Sequence, residues 1–316
     1  MNIQNFSRSL TAVVILFCAS GPAVAQISGT AAGVPVRMIV SVEAKKGKEI
    51  PTITQRDVIV HQGKDVRPVT AWVPATGNNA GLALAVLIDD SAGFSLGTQL
   101  NDIRNFIQEQ APTTLVALGY MQNGTVFLAH DFTQDHAAVA KTVRLAQGYS
   151  GAEPSPYVSL SDFVKRWRGS PSQPRREVLM ITSGIDLLYL GTYPDPYVDA
   201  SVEDSQCAGV VVYSLYTPSA GHLGHSYWRS NWGQNFLAQL SEETGGESYY
   251  LLGPEAPVAF APYLDKLNQQ LQHQFLLTFL AEPHKKAGRE QVHLTCEYHQ
   301  VDLVYADNVC VPASPE

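Results

Sequence analysis

Four runs of consecutive apolar residues constrain this chain more than any other feature. They are Leu82 to Ile88, Leu115-Val116-Ala117-Leu118, Val178-Leu179-Met180-Ile181 and Val210-Val211-Val212-Tyr213. A strand with one wet face alternates apolar and polar residues. A strand that is apolar throughout must be covered on both faces, which calls for a parallel sheet between helices. Helical spacing fills the intervals. Leu96, Leu100, Ile103 and Ile107 recur at spacings of 4, 3 and 4. Val139, Val143 and Leu145 suit a second helix, Val158, Phe163 and Trp167 a third, and Phe236, Leu237 and Leu240 a fourth. Thr125 to Ala129 reads as the one antiparallel strand, entered through a turn at Asn123-Gly124. The expected fold class is α/β, with a doubly wound, mostly parallel sheet over residues 80–253.

The flanks are patterned differently. Val34, Val36, Met38, Val40 and Val42 alternate, as do Val58-Val60 and Val69-Ala71-Val73, with Gly63-Lys64 as a turn. Lys45-Lys46-Gly47-Lys48 reads as a hairpin tip. After a helix around Pro262 to Gln272, Phe275-Leu277-Phe279, Val292-Leu294-Cys296-Tyr298 and Val301-Leu303-Tyr305 alternate as well. An isolated hairpin is marginal. Residues 26–79 and 254–316 are therefore expected to pair into one small β module beside the α/β domain.

Residues 1–25 read as a secretory signal peptide: Arg8, the apolar run Leu10 to Ala19, a break at Gly21-Pro22, and Ala23-Val24-Ala25 before Gln26. The run is too short to span a bilayer, and no later stretch spans one either. The expected location is the periplasm or the cell exterior, with no membrane insertion. The mature chain has roughly 290 residues. Its net charge is more negative than the −8 of the full sequence, because the leader carries Arg8 and no acid. That balance argues against nucleic acid as a partner. Three cysteines remain. Cys296 and Cys310 lie close together in the β-rich tail, and their pairing is expected in an oxidising compartment. Cys207 is then left as a buried thiol before an apolar strand. Their spacing does not suit zinc.

In an open α/β sheet, ligands sit beyond the carboxyl ends of the strands. The first buried strand ends there in Asp89-Asp90-Ser91-Ala92-Gly93-Phe94-Ser95. A carboxylate just past an apolar strand needs a cation or several donors to stay charged. This segment resembles the Asp-x-Ser-x-Ser loop that opens the metal-ion-dependent adhesion site of von Willebrand factor A domains. Ile53-Thr54, Asp57-Val58, Val60 and Gly63-Lys64 resemble the leader of the bacterial exported, acidobacterial-type "VWFA-related" family. Thr244-Gly245-Gly246, Leu267, Leu271 and Gln274-Phe275-Leu276-Leu277 resemble the family's closing stretch. The resemblance covers nearly the whole mature chain.

The resemblance implies a divalent cation held by two serines, a threonine and aspartates, with one position open to an acidic partner group. The match is partial. Asp89 corresponds to the leading aspartate, Ser91 to the first serine and Ser155 to the threonine. Gly93 stands where the second serine belongs, and Ser95 lies two residues late. Ser183, before Gly184, replaces an aspartate, and Asp186 follows three residues on. A hard cation wants about six oxygens. The site is therefore read as degenerate: Asp89, Ser91 and Ser155 remain as ligands, no cofactor is expected, and Mg²⁺ is the ion it would take if any. The alternative is that Asp89 and Ser91 hold the loop through backbone N–H groups.

Aromatic residues gather in the loops expected at the strand ends. Tyr189, Tyr193, Tyr197 and Tyr227 sit among glycines and prolines, and exposed aromatics on rigid loops are typical binding anchors. Trp228 and Trp232, at i and i+4 entering a helix, lean toward packing. Asp90, Ser95, Ser183, Asp186, Tyr189, Tyr193, Tyr227 and Trp228 are the candidate ligand-binding residues. Gly224-His225-Ser226 begins like a hydrolase nucleophile elbow, but Trp228 occupies the last glycine position. His222 and His225 lack a third clustered metal ligand. Asp89-Asp90 has no phosphate loop or lysine for phosphoryl transfer. The expected function is a non-catalytic binding or adhesion module with a protein partner. The alternative is a structural subunit of an envelope or secreted assembly, with a serine hydrolase a distant third.

Overall fold

The computed structural model describes residues 33–45, 48–148, 155–167, 175–189, 194–221, 226–250 and 257–314. The signal-peptide reading, Tyr193, His222 and His225 lie outside them.

At the centre is a six-stranded sheet. Its strands are β5 (Leu82–Asp89), β6 (Leu115–Gln122), β7 (Thr125–Thr133), β8 (Arg175–Thr182), β9 (Val210–Tyr216) and β10 (Ser248–Tyr249), in the order β10-β9-β8-β5-β6-β7. All neighbours are parallel except β7, which runs back along β6. The turn between them places Asn123 and Gly124 both at positive φ, 55° and 65°, the geometry that matches a hairpin's twist.

The continuous apolar runs are explained by two cores. Leu82, Leu84, Val86 and Ile88 face α1 (Leu100–Gln108), α2 (His136–Lys141) and α6 (Ala261–Gln272). Ala85 and Leu87 face α3 (Pro156–Arg166), α4 (Pro196–Ala208) and α5 (Tyr227–Thr244). Each fully buried aliphatic side chain contributes about 1.5–3 kcal/mol, and polar residues buried in the sheet, such as Glu177 and Ser214, are hydrogen-bonded to other side chains. The doubly wound class holds.

Two local readings change. α2 stops at Lys141, so Val143 packs from a turn and Leu145 is 48% exposed. Residues 196–208 form a helix that periodicity did not single out. Its signals are a cap and a stop: Asp195 accepts from the Tyr197 N–H, Pro196 opens the first turn, and Gly209 ends it at φ 64°.

Strands from the two flanks interleave. β1 (Val34–Ala44) lies between β11 (Gln274–Ala281) and β13 (Val301–Tyr305), with β4 (Val69–Pro74) on the far side of β11. β12 (Gly288–Cys296) lies between β2 (Val58–Gln62) and β14 (Asn308–Val311), with β3 (Asp65–Arg67) beyond β2. A shared core includes Val40, Val60, Leu277, Phe279 and Leu294. Trp72 stacks on Phe275 at 4.5 Å. The Gly63 turn joins β2 to β3 as expected. Lys45 and Lys48 do not belong to a hairpin tip: β1 ladders with β11 and β13, not with β2.

The cysteines also pair otherwise than expected. Cys207, at the end of α4, is bonded to Cys310 on β14, with Cα atoms 4.7 Å apart. Cys296 is free and half-buried. Cys296 and Cys310 lie on neighbouring strands, but the register sets Arg289 opposite Cys310 and Val58 opposite Cys296. The side chain nearest Cys310 therefore comes from α4 of the other module.

Candidate functional site at the strand ends

The strand order reverses direction between β5 and β8, and the crevice beyond that point is where open α/β sheets bind ligands. Three loops and the starts of α3 and α5 converge there. The loop after β5 carries Asp89, Asp90 and Ser91, and the loop after β8 carries Ser183 to Tyr189. The loop after β9 runs back alongside the first: Gly93 N–H donates to Pro218 O at 2.8 Å, and Ala220 N–H donates to Ser91 O at 2.8 Å.

The carboxylates are held by protein donors. Asp89 is buried; it accepts the Thr182 hydroxyl at 2.6 Å and the Ser91 N–H at 2.9 Å. Burial pushes its carboxyl above the ordinary range, against the pull of Thr182 and Ser91. Asp90 is gripped bidentately by Arg144, at 2.8 and 3.0 Å, and accepts the Gln147 N–H at 3.0 Å. The Arg144 guanidinium lies over the Tyr120 ring at 3.7 Å. A cavity of about 220 Å³ opens beside this pair, bordered by the exposed side chains of Phe127 and Leu128.

Ser155 caps α3 by accepting the Val158 N–H and donates its own proton to Asp186 at 2.6 Å. The other oxygen of Asp186 accepts the Leu188 and Tyr189 N–H groups at 2.7 and 3.3 Å. Burial raises the carboxyls of Asp186 and Asp195 as well. Ser183 shares a hydrogen bond with Ser219 at 2.7 Å. Ser95 is exposed in the 3₁₀ turn over Phe94–Gln99, and its carbonyl accepts the Thr98 hydroxyl. Among the described residues, no three His, Cys, Asp or Glu side chains come together in a way that could hold a metal ion.

Thus Asp89, Ser91, Ser155, Ser183 and Asp186 do gather at one end of the sheet. Sequence reasoning missed Thr182, Arg144 and Ser219, their partners. Thr182 was open to view, directly after an apolar strand; Arg144 and Ser219 are brought in by loops that carry no local signal.

The aromatic rim is set by α5. Gly233 packs against the backbone of Ser183-Gly184 so closely that a Cβ on either glycine would collide with the other strand of chain. That contact fixes the start of α5 beside the loop after β8. Tyr227 and Trp228, in its first turn, are 60% and 75% exposed, with their rings edge to face at 6.5 Å. Trp232 behaves as expected and stacks on Phe236. Trp228 does not: it projects into solvent rather than packing. Tyr189 is half-exposed.

Neither a protein-family model nor a curated protein matches this chain. Among solved structures, it is similar to an aerotolerance-related membrane protein from Bacteroides fragilis, with 12% identity and a TM-score of 0.44, over 60% of this chain and 98% of that one. The ArnB paralog VWA2 from Sulfolobus acidocaldarius gives 11% identity and 0.40, over 87% and 76%. The pilus adhesin SpaC from Lactobacillus rhamnosus GG gives 8% and 0.42, over 81% and 47%. Likeness at this level assigns no function.

Proposed function

We propose that this chain is an exported, non-catalytic binding module of von Willebrand factor A type, which engages a protein partner through its strand-end loops. The observation that carries the reading is the exposed pair Tyr227 and Trp228, held at the rim of the crevice by the Gly233 contact. Large rigid aromatics in that setting contribute contact area at low entropic cost. The A-type assignment is supported by the Asp89-Asp90-Ser91 loop at the switch point and by the single antiparallel strand β7. The Cys207–Cys310 disulfide supports an oxidising compartment.

The metal site is degenerate on this reading. Asp89, Ser155 and Asp186 are hydrogen-bonded to protein partners, and Gly93 brings no side-chain oxygen. The set falls short of what a hard cation requires. Arg144 instead compensates the charge of Asp90 at the rim. Catalysis is not part of the reading: the Ser155 hydroxyl that donates to Asp186 is buried and serves as the cap of α3, so this hydroxyl–carboxylate pair is structural rather than an exposed nucleophile with its base.

Partner capture from envelope extract tests this. The Tyr227→Ala/Trp228→Ala variant, folded by circular dichroism, should lose the partner, and a chelator should not. Capture that survives the double substitution would favour the structural-subunit alternative, with contacts made by the β module.

A further inference from the structure

The outward face of the β14-β12-β2-β3 sheet brings two histidines together. His61 on β2 and His293 on β12 are direct register partners in the antiparallel ladder. Alternation explains their direction: Val60, Gln62, Val292 and Leu294 are buried, so the residues between them face outward. The ring centroids are 6.3 Å apart, with planes tilted by 42°. A tetrahedral ion bridging two imidazole nitrogens at about 2.0–2.1 Å would set the centroids about 5 Å apart. Side-chain rotation alone closes a gap of roughly 1 Å.

A third residue orients one ring. The Tyr305 hydroxyl lies 3.1 Å from His293 Nδ1, accepts the Leu294 N–H at 2.9 Å, and faces Leu294 O at 3.5 Å. With its own proton turned to Leu294 O, the phenol oxygen accepts Nδ1–H from His293. That leaves the Nε2 lone pair outward, the arrangement in which a second group fixes the tautomer of a metal-binding histidine. Ile59, Thr295 and Val66, at neighbouring register positions, bring no carboxylate. A nitrogen-only donor set selects against Mg²⁺ and Ca²⁺ and suits ions with imidazole affinity.

We propose that His61 and His293 form a binding site for a divalent transition-metal ion, Zn²⁺ or Cu²⁺, with Tyr305 as a positioning residue and the remaining coordination positions open to water. The site lies on the β module, independent of the strand-end crevice. It too lacks a third side-chain ligand; what sets it apart from the sequence pair His222 and His225 is the ladder register and the Tyr305 contact that fix its geometry. Untagged protein titrated with Zn²⁺ by calorimetry, and with Cu²⁺ by electron paramagnetic resonance, tests it. Single-ion binding is expected, with two nitrogens in the Cu²⁺ spectrum. His61→Gln and His293→Gln should each weaken binding by about tenfold or more and remove one nitrogen, with unchanged thermal melts of the metal-free protein. Tyr305→Phe should keep both nitrogens and weaken binding about tenfold. No binding at micromolar metal, or binding unchanged in the His61→Gln/His293→Gln double variant, would overturn the assignment.

Discussion

Thr182, the last residue of β8, donates its hydroxyl to Asp89, the last residue of β5, at 2.6 Å. The bond crosses the point where strand order reverses and gives a buried carboxylate a neutral donor. Thr182→Val keeps the shape and deletes the donor. It should cost about 1–3 kcal/mol of unfolding free energy, read from the midpoint of a denaturant titration. An unchanged midpoint would mean the bond contributes nothing.

Burial raises the Asp89 carboxyl above its ordinary value near 3.8. A carboxyl raised by folding binds its proton more tightly in the native state. Its stabilising contribution is complete below the ordinary value and is lost as pH rises through the raised one. Asp89→Asn removes that titration. Between about pH 4 and 7 the variant should lose less stability than the parent, by urea denaturation across the range. Parallel pH profiles would refute this origin.

Divalent ions should leave the protein unmoved at the crevice. Millimolar Mg²⁺ or Mn²⁺ should keep Tm within about 1 °C, since a ligand that does not bind the native state cannot stabilise it. A clear rise, abolished by Asp89→Ala, would restore a working metal site.

The Cys207–Cys310 bond closes a loop of 103 residues and ties α4 to β14. Cys310→Ser should cost about 2–5 kcal/mol by guanidinium denaturation, whereas Cys296→Ser should cost little. Peptide mapping without reduction should recover the Cys207–Cys310 link and a free Cys296.

Gly233→Ala forces a methyl into the backbone of Ser183-Gly184. Overpacking of this kind costs about 1–3 kcal/mol. Because the same contact seats Tyr227 and Trp228, partner capture should weaken at temperatures where the variant remains folded.

The sequence alone determined the sheet. Runs such as Leu82 to Ile88 are apolar at every position because both faces are covered, and that demand is local enough to read from a single stretch. The alternation in β1, β11 and β12 likewise marked strands with one buried face, and the Asp89-Asp90-Ser91 loop marked the carboxyl end of the first buried strand. The tertiary structure decided what those strands and loops touch. The Cys310 partner, the Arg144 grip on Asp90 and the Ser155–Asp186 bond join residues far apart in the chain, and nothing in the local pattern at either residue encodes the other. Trp228 shows the same limit from the opposite side. Its spacing from Trp232 fits a packed helix face, but the glycine at 233 sets α5 against the loop after β8 and turns that first turn outward. Periodicity reports which residues share a face of an element; only packing fixes where that face points.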